Sequence, residues 1–180
     1  MPATHLALLR GINLGGKNKL PMKDLAAMFA GAGCHDIVTY IQSGNVIFKA
    51  ASKVSVQLSD TISSEIEKHF GCRVPVVLRT AEQMRKAVDS NPFIKEGVPE
   101  NTLHVVFLKD LPSPRRAGNL DPDRSPPDVF TLLGQEIYLR LPNGMARTKL
   151  TSYYFDSKLG TIGTARNWRT VTKLLELMEE

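Results

Sequence analysis

Cysteine is scarce in this chain of 180 residues: Cys34 and Cys72 stand alone, without the Cys-x-x-Cys spacing of zinc sites or dithiol redox centres. Two unpaired thiols suit a reducing compartment. Long apolar runs are absent too. No stretch approaches the ~18 to 20 apolar residues that span a bilayer, and the opening MPATHLALLRG has no basic n-region and meets Arg10 too early for a signal peptide. The expectation is a cytoplasmic protein with no membrane partner. Aromatic residues make up only 7%, and the first apolar segment carries none of the stacking residues that an RNA-recognition sheet presents. The four histidines are scattered as His5, His35, His69 and His104. No His and carboxylate groups recur at metal-ligand spacing, so neither metal nor cofactor is expected. Cys34 and His35 are neighbours, and neighbours on a strand point to opposite faces, which excludes a Cys-His nucleophile pair there.

What remains is the composition of a folded domain, 42% hydrophobic and 23% charged. The formal charge of +5 and pI of 9.3 favour phosphate-bearing partners, although the basic residues are spread along the chain and also fit a merely solvated surface.

Periodicity predicts strand, helix, strand, strand, helix, strand in the first half. His5 to Arg10 is an apolar run. Pro21 suits a first helical turn, and Leu25, Met28, Phe29 and Ala32 follow at i, i+3, i+4 and i+7 up to Gly33. DIVTYIQSGNVIFK holds two β-rich runs around Ser43-Gly44, a pair suited to a tight hairpin. Val54, Leu58, Ile62, Ile66 and Phe70 recur every fourth residue as a second helix, and RVPVVLR is a fourth strand with Pro75 marking an edge. Thr80 and Gln83 read as a capping box of a short helix that ends near Asn91-Pro92. A strand follows over Thr102 to Leu108. Next comes a segment with five of the eleven prolines, a linker or lid with room for one helical turn. Strands at Asp128 to Leu133 and Glu136 to Leu141 precede helices around Ser152 to Leu159 and Asn167 to Met178.

The chain is thus expected to be α+β, two ferredoxin-like βαββαβ halves with antiparallel sheets, over residues 1–80 and 101–180 with a connecting helix and loop at 81–100. The strands look apolar on both faces, Ile37 and Ile41 alternating with Val38 and Tyr40, so both faces of each sheet are expected to be covered by helices, the other half or another subunit. In this topology Cys34 and Cys72 lie at opposite ends of the sheet, too far apart to bridge.

Three stretches in order, LLRGINLGGKNK at 8–19, TYIQSGNVIF at 39–48 and TARNWRTVTKLLEL at 164–177, resemble the bacterial family called domain of unknown function 1697 over nearly the whole length. The resemblance implies a pair of ferredoxin-like plaits and no established activity, so the functional reading rests on the residues.

The loop from Gly11 to Lys19 leaves a strand, holds three glycines and two lysines, and precedes a helix. Glycines let backbone N–H groups converge on an anion, and lysines add charge. GINLGGKN matches a phosphate-binding P-loop until Asn18 replaces the Mg²⁺-binding hydroxyl, and the helix starts too late, so nucleotide hydrolysis is not expected. In a plait this loop faces the hairpin at Gln42 to Asn45. Arg10, Asn13, Gly15, Gly16, Lys17, Lys19, Ser43 and Asn45 are therefore candidate ligands of a phosphate or carboxylate. Against that, the glycines also suit a plain turn, and Ser43 and Asn45 also suit hydrogen bonds to the hairpin's own backbone. A second basic cluster comprises Arg147, Lys149, Arg166, Asn167 and Arg169. There Asn167 can cap the last helix and favour an anion, or the arginines can form surface salt bridges. Trp168 falls on that helix's apolar stripe and reads as a core anchor. The expected function is binding of an anionic small molecule. An enzyme with the proline-rich lid, a nucleic-acid-binding module and a protein-interaction module are the alternatives.

Overall fold

The first apolar run becomes β1 (Ala3–Leu9), an inner strand whose Leu6, Ala7, Leu8 and Leu9 are all fully buried. The computed structural model describes residues 1–180. β1 is followed by α1 (Met22–Gly31), β2 (His35–Tyr40), β3 (Asn45–Ala50), α2 (Ser52–Phe70) and β4 (Val76–Thr80). The four strands form one sheet in the order β2-β3-β1-β4, with every neighbouring pair antiparallel. α1 begins after Pro21, whose carbonyl accepts the N–H groups of Asp24 and Leu25, and it buries Leu25 and Phe29 one turn apart. Leu58, Ile62 and Ile66 form the buried stripe of α2, which ends at Gly71 in the left-handed conformation. The Phe29 and Phe48 rings meet at 5.1 Å inside this core.

The second half begins with α3 (Ala81–Asp89), opened by a reciprocal capping box. Gln83 N–H donates to Thr80 Oγ1 at 3.2 Å, and Thr80 N–H donates to Gln83 Oε1 at 2.8 Å. α4 (Pro92–Lys95), β5 (Leu103–Leu108), α5 (Pro114–Ala117), β6 (Val129–Leu133), β7 (Glu136–Arg140), α6 (Ser152–Leu159), β8 (Gly163–Asn167) and α7 (Trp168–Glu179) follow. The second sheet has the order β6-β7-β5-β8, again all antiparallel. The βαββαβ succession is therefore duplicated, with its first helix reduced to the four residues of α5. Two compact units result, Met1–Arg85 with Leu174–Glu180, and Lys86–Lys173. No helix is long and apolar enough to cross a membrane. Cys34 and Cys72 are both free.

Two expectations need correction. β8 has no counterpart in the sequence reading, because GTARN offers no apolar alternation. It is a strand because β5 supplies the ladder, and Gly163 permits the approach: a Cβ there would sit 2.7 Å from Val106 Cγ1. The β2–β3 connection spans the four residues Ile41 to Gly44 and is not closed by Ser43-Gly44 alone, with Ile41 and Gly44 both at positive φ. β2 is an edge strand, and its Val38 is 48% exposed within the single chain.

Tyr138 on β7 is buried, and its hydroxyl donates to the Ala87 carbonyl at 2.7 Å. That carbonyl lies in the last turn of α3, where helical acceptors lack an intrahelical partner. Burial pushes the phenol well above its ordinary range. Tyr138→Phe should destabilise the protein by about 1 to 3 kcal/mol in urea unfolding, the cost of an unsatisfied buried acceptor. A change lost in the error of the measurement would mean that this bond does not hold α3.

Candidate functional site

At the end of β1, Leu9 N–H donates to the Gly44 carbonyl at 2.9 Å and Arg10 N–H to the Pro75 carbonyl at 3.1 Å. The 11–19 loop, the 41–44 connection and the approach to β4 thus meet at one end of the first sheet. The loop is a miniature hairpin. Asn13 N–H donates to the Asn18 carbonyl at 3.1 Å and Lys17 N–H to the Leu14 carbonyl at 2.9 Å. Gly15 and Gly16 form its two-residue turn with φ of 54° and 79°, the doubly left-handed geometry for which glycine is favoured. The glycines therefore serve a turn, and the first helix starts only at Met22, too far on to add its N–H groups.

Asn13 ties the hairpin down. Its Nδ2 donates to the carbonyls of Gln42 at 2.8 Å and Leu20 at 3.0 Å, and its Oδ1 accepts Leu20 N–H at 2.8 Å. Asn45 is fully buried, its Nδ2 donating to the Tyr40 carbonyl at 2.9 Å and to Ser43 Oγ at 3.0 Å. The Asn13 amide ties the loop to the connection, the Asn45 amide braces the connection itself, and neither directs its donors outward. Gly15, Gly16, Lys17 and Lys19 are the exposed members of the set, and Arg10 is half-buried.

The second cluster divides. Arg147 and Lys149 are exposed on the 141–151 loop. Arg166 is buried, with Nη1 donating to Thr164 Oγ1 and to the Ala165 carbonyl, each at 2.8 Å. Burial lowers its pKa to about 10, so it stays charged at neutral pH but is withdrawn from the surface. Asn167 caps α7 by accepting Thr170 N–H at 2.8 Å. At this cap opens a pocket of ≈ 420 Å³, lined among others by Glu100, Asn101, His104, Asn167, Trp168 and Arg169. Its volume lies in the range of small-molecule sites. Trp168 is 3% exposed. His104, across the ladder from Asn167, has a buried Nδ1 without a hydrogen-bond partner. Burial lowers its pKa from the ordinary 6.5, the Thr102 carbonyl opposing weakly, so the ring is neutral at pH 7. A larger groove between α1 and α2 is lined by Asp24, Thr61, Glu65, His69 and apolar residues, and the His69–Glu65 contact at 3.2 Å already occupies its one basic group.

The duplication supplies an internal comparison. His5 pairs with Thr80 and Leu6 with Arg79 in the first sheet, as His104 pairs with Asn167 and Val105 with Arg166 in the second. Arg79 is buried like Arg166 and likewise donates to the preceding carbonyl, that of Leu78, at 2.9 Å. Thr80 and Asn167 each cap the helix that follows. The pocket residues break this symmetry: Ala81 stands where Trp168 does, Glu82 where Arg169 does, and His5 is stacked on Phe48 at 5.5 Å. Sequence reasoning missed His104, Glu100 and Asn101. The repeat, HLALLR at 5–10 against HVVFLK at 104–109, marks His104 alone, and Glu100 and Asn101 lie outside it.

No curated protein matches the chain. The conserved bacterial protein SP0830 from Streptococcus pneumoniae is similar in structure, with a TM-score of 0.75, 20% identity and 100% of both chains covered, a likeness of fold alone. The profile of the DUF1697 proteins, described as proteins of unknown function, matches residues 3–138, and the chain belongs to that family.

Proposed function

We propose that each half is a ferredoxin-like plait and that the protein binds a small anionic molecule in the pocket at the start of α7. The strand order, with the first and third strands central, supports the plait reading. One observation carries the binding reading: Arg169, the capped N-terminus of α7 and His104 line one pocket of small-molecule size. Backbone N–H groups at a helix N-terminus and a guanidinium are both suited to an oxyanion. The corresponding charge in the first half is acidic, since Glu82 occupies the position of Arg169, so the basic character belongs to this copy of the scaffold. A second reading places the anion at the Gly15-Gly16 turn, supported by exposed Lys17 and Lys19.

Titration with inorganic phosphate, followed by backbone amide shifts, separates the two. Arg169→Ala should weaken phosphate binding by about 1.5 to 3 kcal/mol, the range for a charge-assisted hydrogen bond, while Lys17→Ala leaves it unchanged. An oxyanion beside His104 favours the protonated ring, which burial disfavours in the free protein, so affinity should rise as pH falls toward the acid side, with proton uptake by the imidazole on binding. Loss of binding in Lys17→Ala with Arg169→Ala unaffected would transfer the site to the Gly-rich turn.

A further inference from the structure

Resting on that reading, we propose that the pocket at the start of α7 takes a zwitterion, a small molecule carrying an ammonium group as well as the oxyanion. Glu100, in the 3-10 turn that precedes β5, and Arg169, in the first turn of α7, line the same pocket of ≈ 420 Å³. Neither is ion-paired with the other or with any other side chain. Opposite charges that share a small pocket without neutralising each other leave two complementary positions open. A plain anion drawn to Arg169 meets repulsion from Glu100, and a plain cation drawn to Glu100 meets Arg169 and the positive end of α7. A molecule with both charges a few bonds apart satisfies both walls and keeps the site neutral overall, because His104 adds no charge at pH 7.

The remaining groups fit the same ligand. Asn167 spends its Oδ1 on Thr170 N–H, which leaves the amide's donor side for the oxyanion. Asn101 beside Glu100 offers a carbonyl oxygen that accepts from an ammonium. The buried Trp168 gives an apolar surface for the carbon body between the charged ends. The first half, with Ala81 and Glu82 at the corresponding positions, has neither the indole nor the cation and makes no such pair.

The test compares matched probes that differ only in the ammonium: phosphoethanolamine against ethyl phosphate, and β-alanine against propionate. Dissociation constants come from amide shift titrations of the full chain, with circular dichroism melts to show that each variant is folded. In at least one pair the zwitterion should bind about tenfold more tightly than its anion, a factor worth ~1.4 kcal/mol, and the better pair identifies phosphate or carboxylate as the oxyanion. Glu100→Gln should abolish the difference by weakening the zwitterion and tightening the plain anion, while Arg169→Ala weakens both members. Equal binding of the members of both pairs, unaffected by Glu100→Gln, overturns the zwitterion and leaves the anion site standing. No binding of any probe, in wild type and variants alike, overturns both.

Discussion

Gly44→Ala is expected to be the most damaging single methyl that can be added to the first half, costing roughly 2 to 5 kcal/mol from a left-handed backbone penalty plus overpacking. Gly44 sits at φ 85°, and a Cβ there would lie 2.7 Å from Ile12 Cδ1 and 2.8 Å from Leu9 Cβ. Ile12 is buried at the root of the 11–19 hairpin, and Leu9 ends β1. Neither has room to retreat, because Leu9 N–H also donates to the Gly44 carbonyl. The added methyl must therefore push β1 and the connection apart and break that bond. Chemical unfolding monitored by near-UV and far-UV circular dichroism measures the loss. Gly134→Ala is the control: φ is 63°, and a Cβ there has no atom within 4 Å, so only the backbone term of about 1 to 2 kcal/mol applies. Equal losses in the two variants would show that the close approach at Gly44 contributes nothing.

Asn13→Ala should cost about 3 kcal/mol, on the scale of two buried groups losing their hydrogen-bond partners. Leu20 is 1% exposed, so its N–H and carbonyl find no ready replacement for the Asn13 amide, and the Gln42 carbonyl loses its donor from across the loop. Alanine also fits poorly at φ 54°. Asn13→Gly removes the strain and keeps the loss of bonds, which isolates the side chain's share. Both variants should show faster amide exchange over residues 13–20 and 41–45. Phosphate affinity at the α7 pocket should be unchanged, since Asn13 lies in the other unit. Exchange confined to residue 13 itself would mean that the amide does not tie the loop to the β2–β3 connection.

The amino-acid sequence determined by itself whatever depends on local pattern. The stripe Leu58, Ile62 and Ile66 buries one face of a helix wherever that helix lies, Thr80 and Gln83 cap one another within four residues, and Asn167 reaches Thr170 within a single turn. Tertiary structure decided what depends on partners far along the chain. GTARN became β8 only because β5 offered a ladder, and the Ile41 to Gly44 connection took its shape where the Gly44 carbonyl accepts from β1. The candidate site shows the same division. Asn13 and Asn45 read as donors for a ligand, yet carbonyls at Gln42 and Tyr40, 29 and 5 residues away, claim their amides. His104 and Glu100 read as a strand residue and a loop charge, and they acquire a common pocket with Arg169 only because antiparallel pairing sets the start of β5 beside the end of β8. A spacing of more than sixty residues carries no periodicity from which such a meeting could be read. Chain entropy is overcome there by the whole sheet, and no local motif records it.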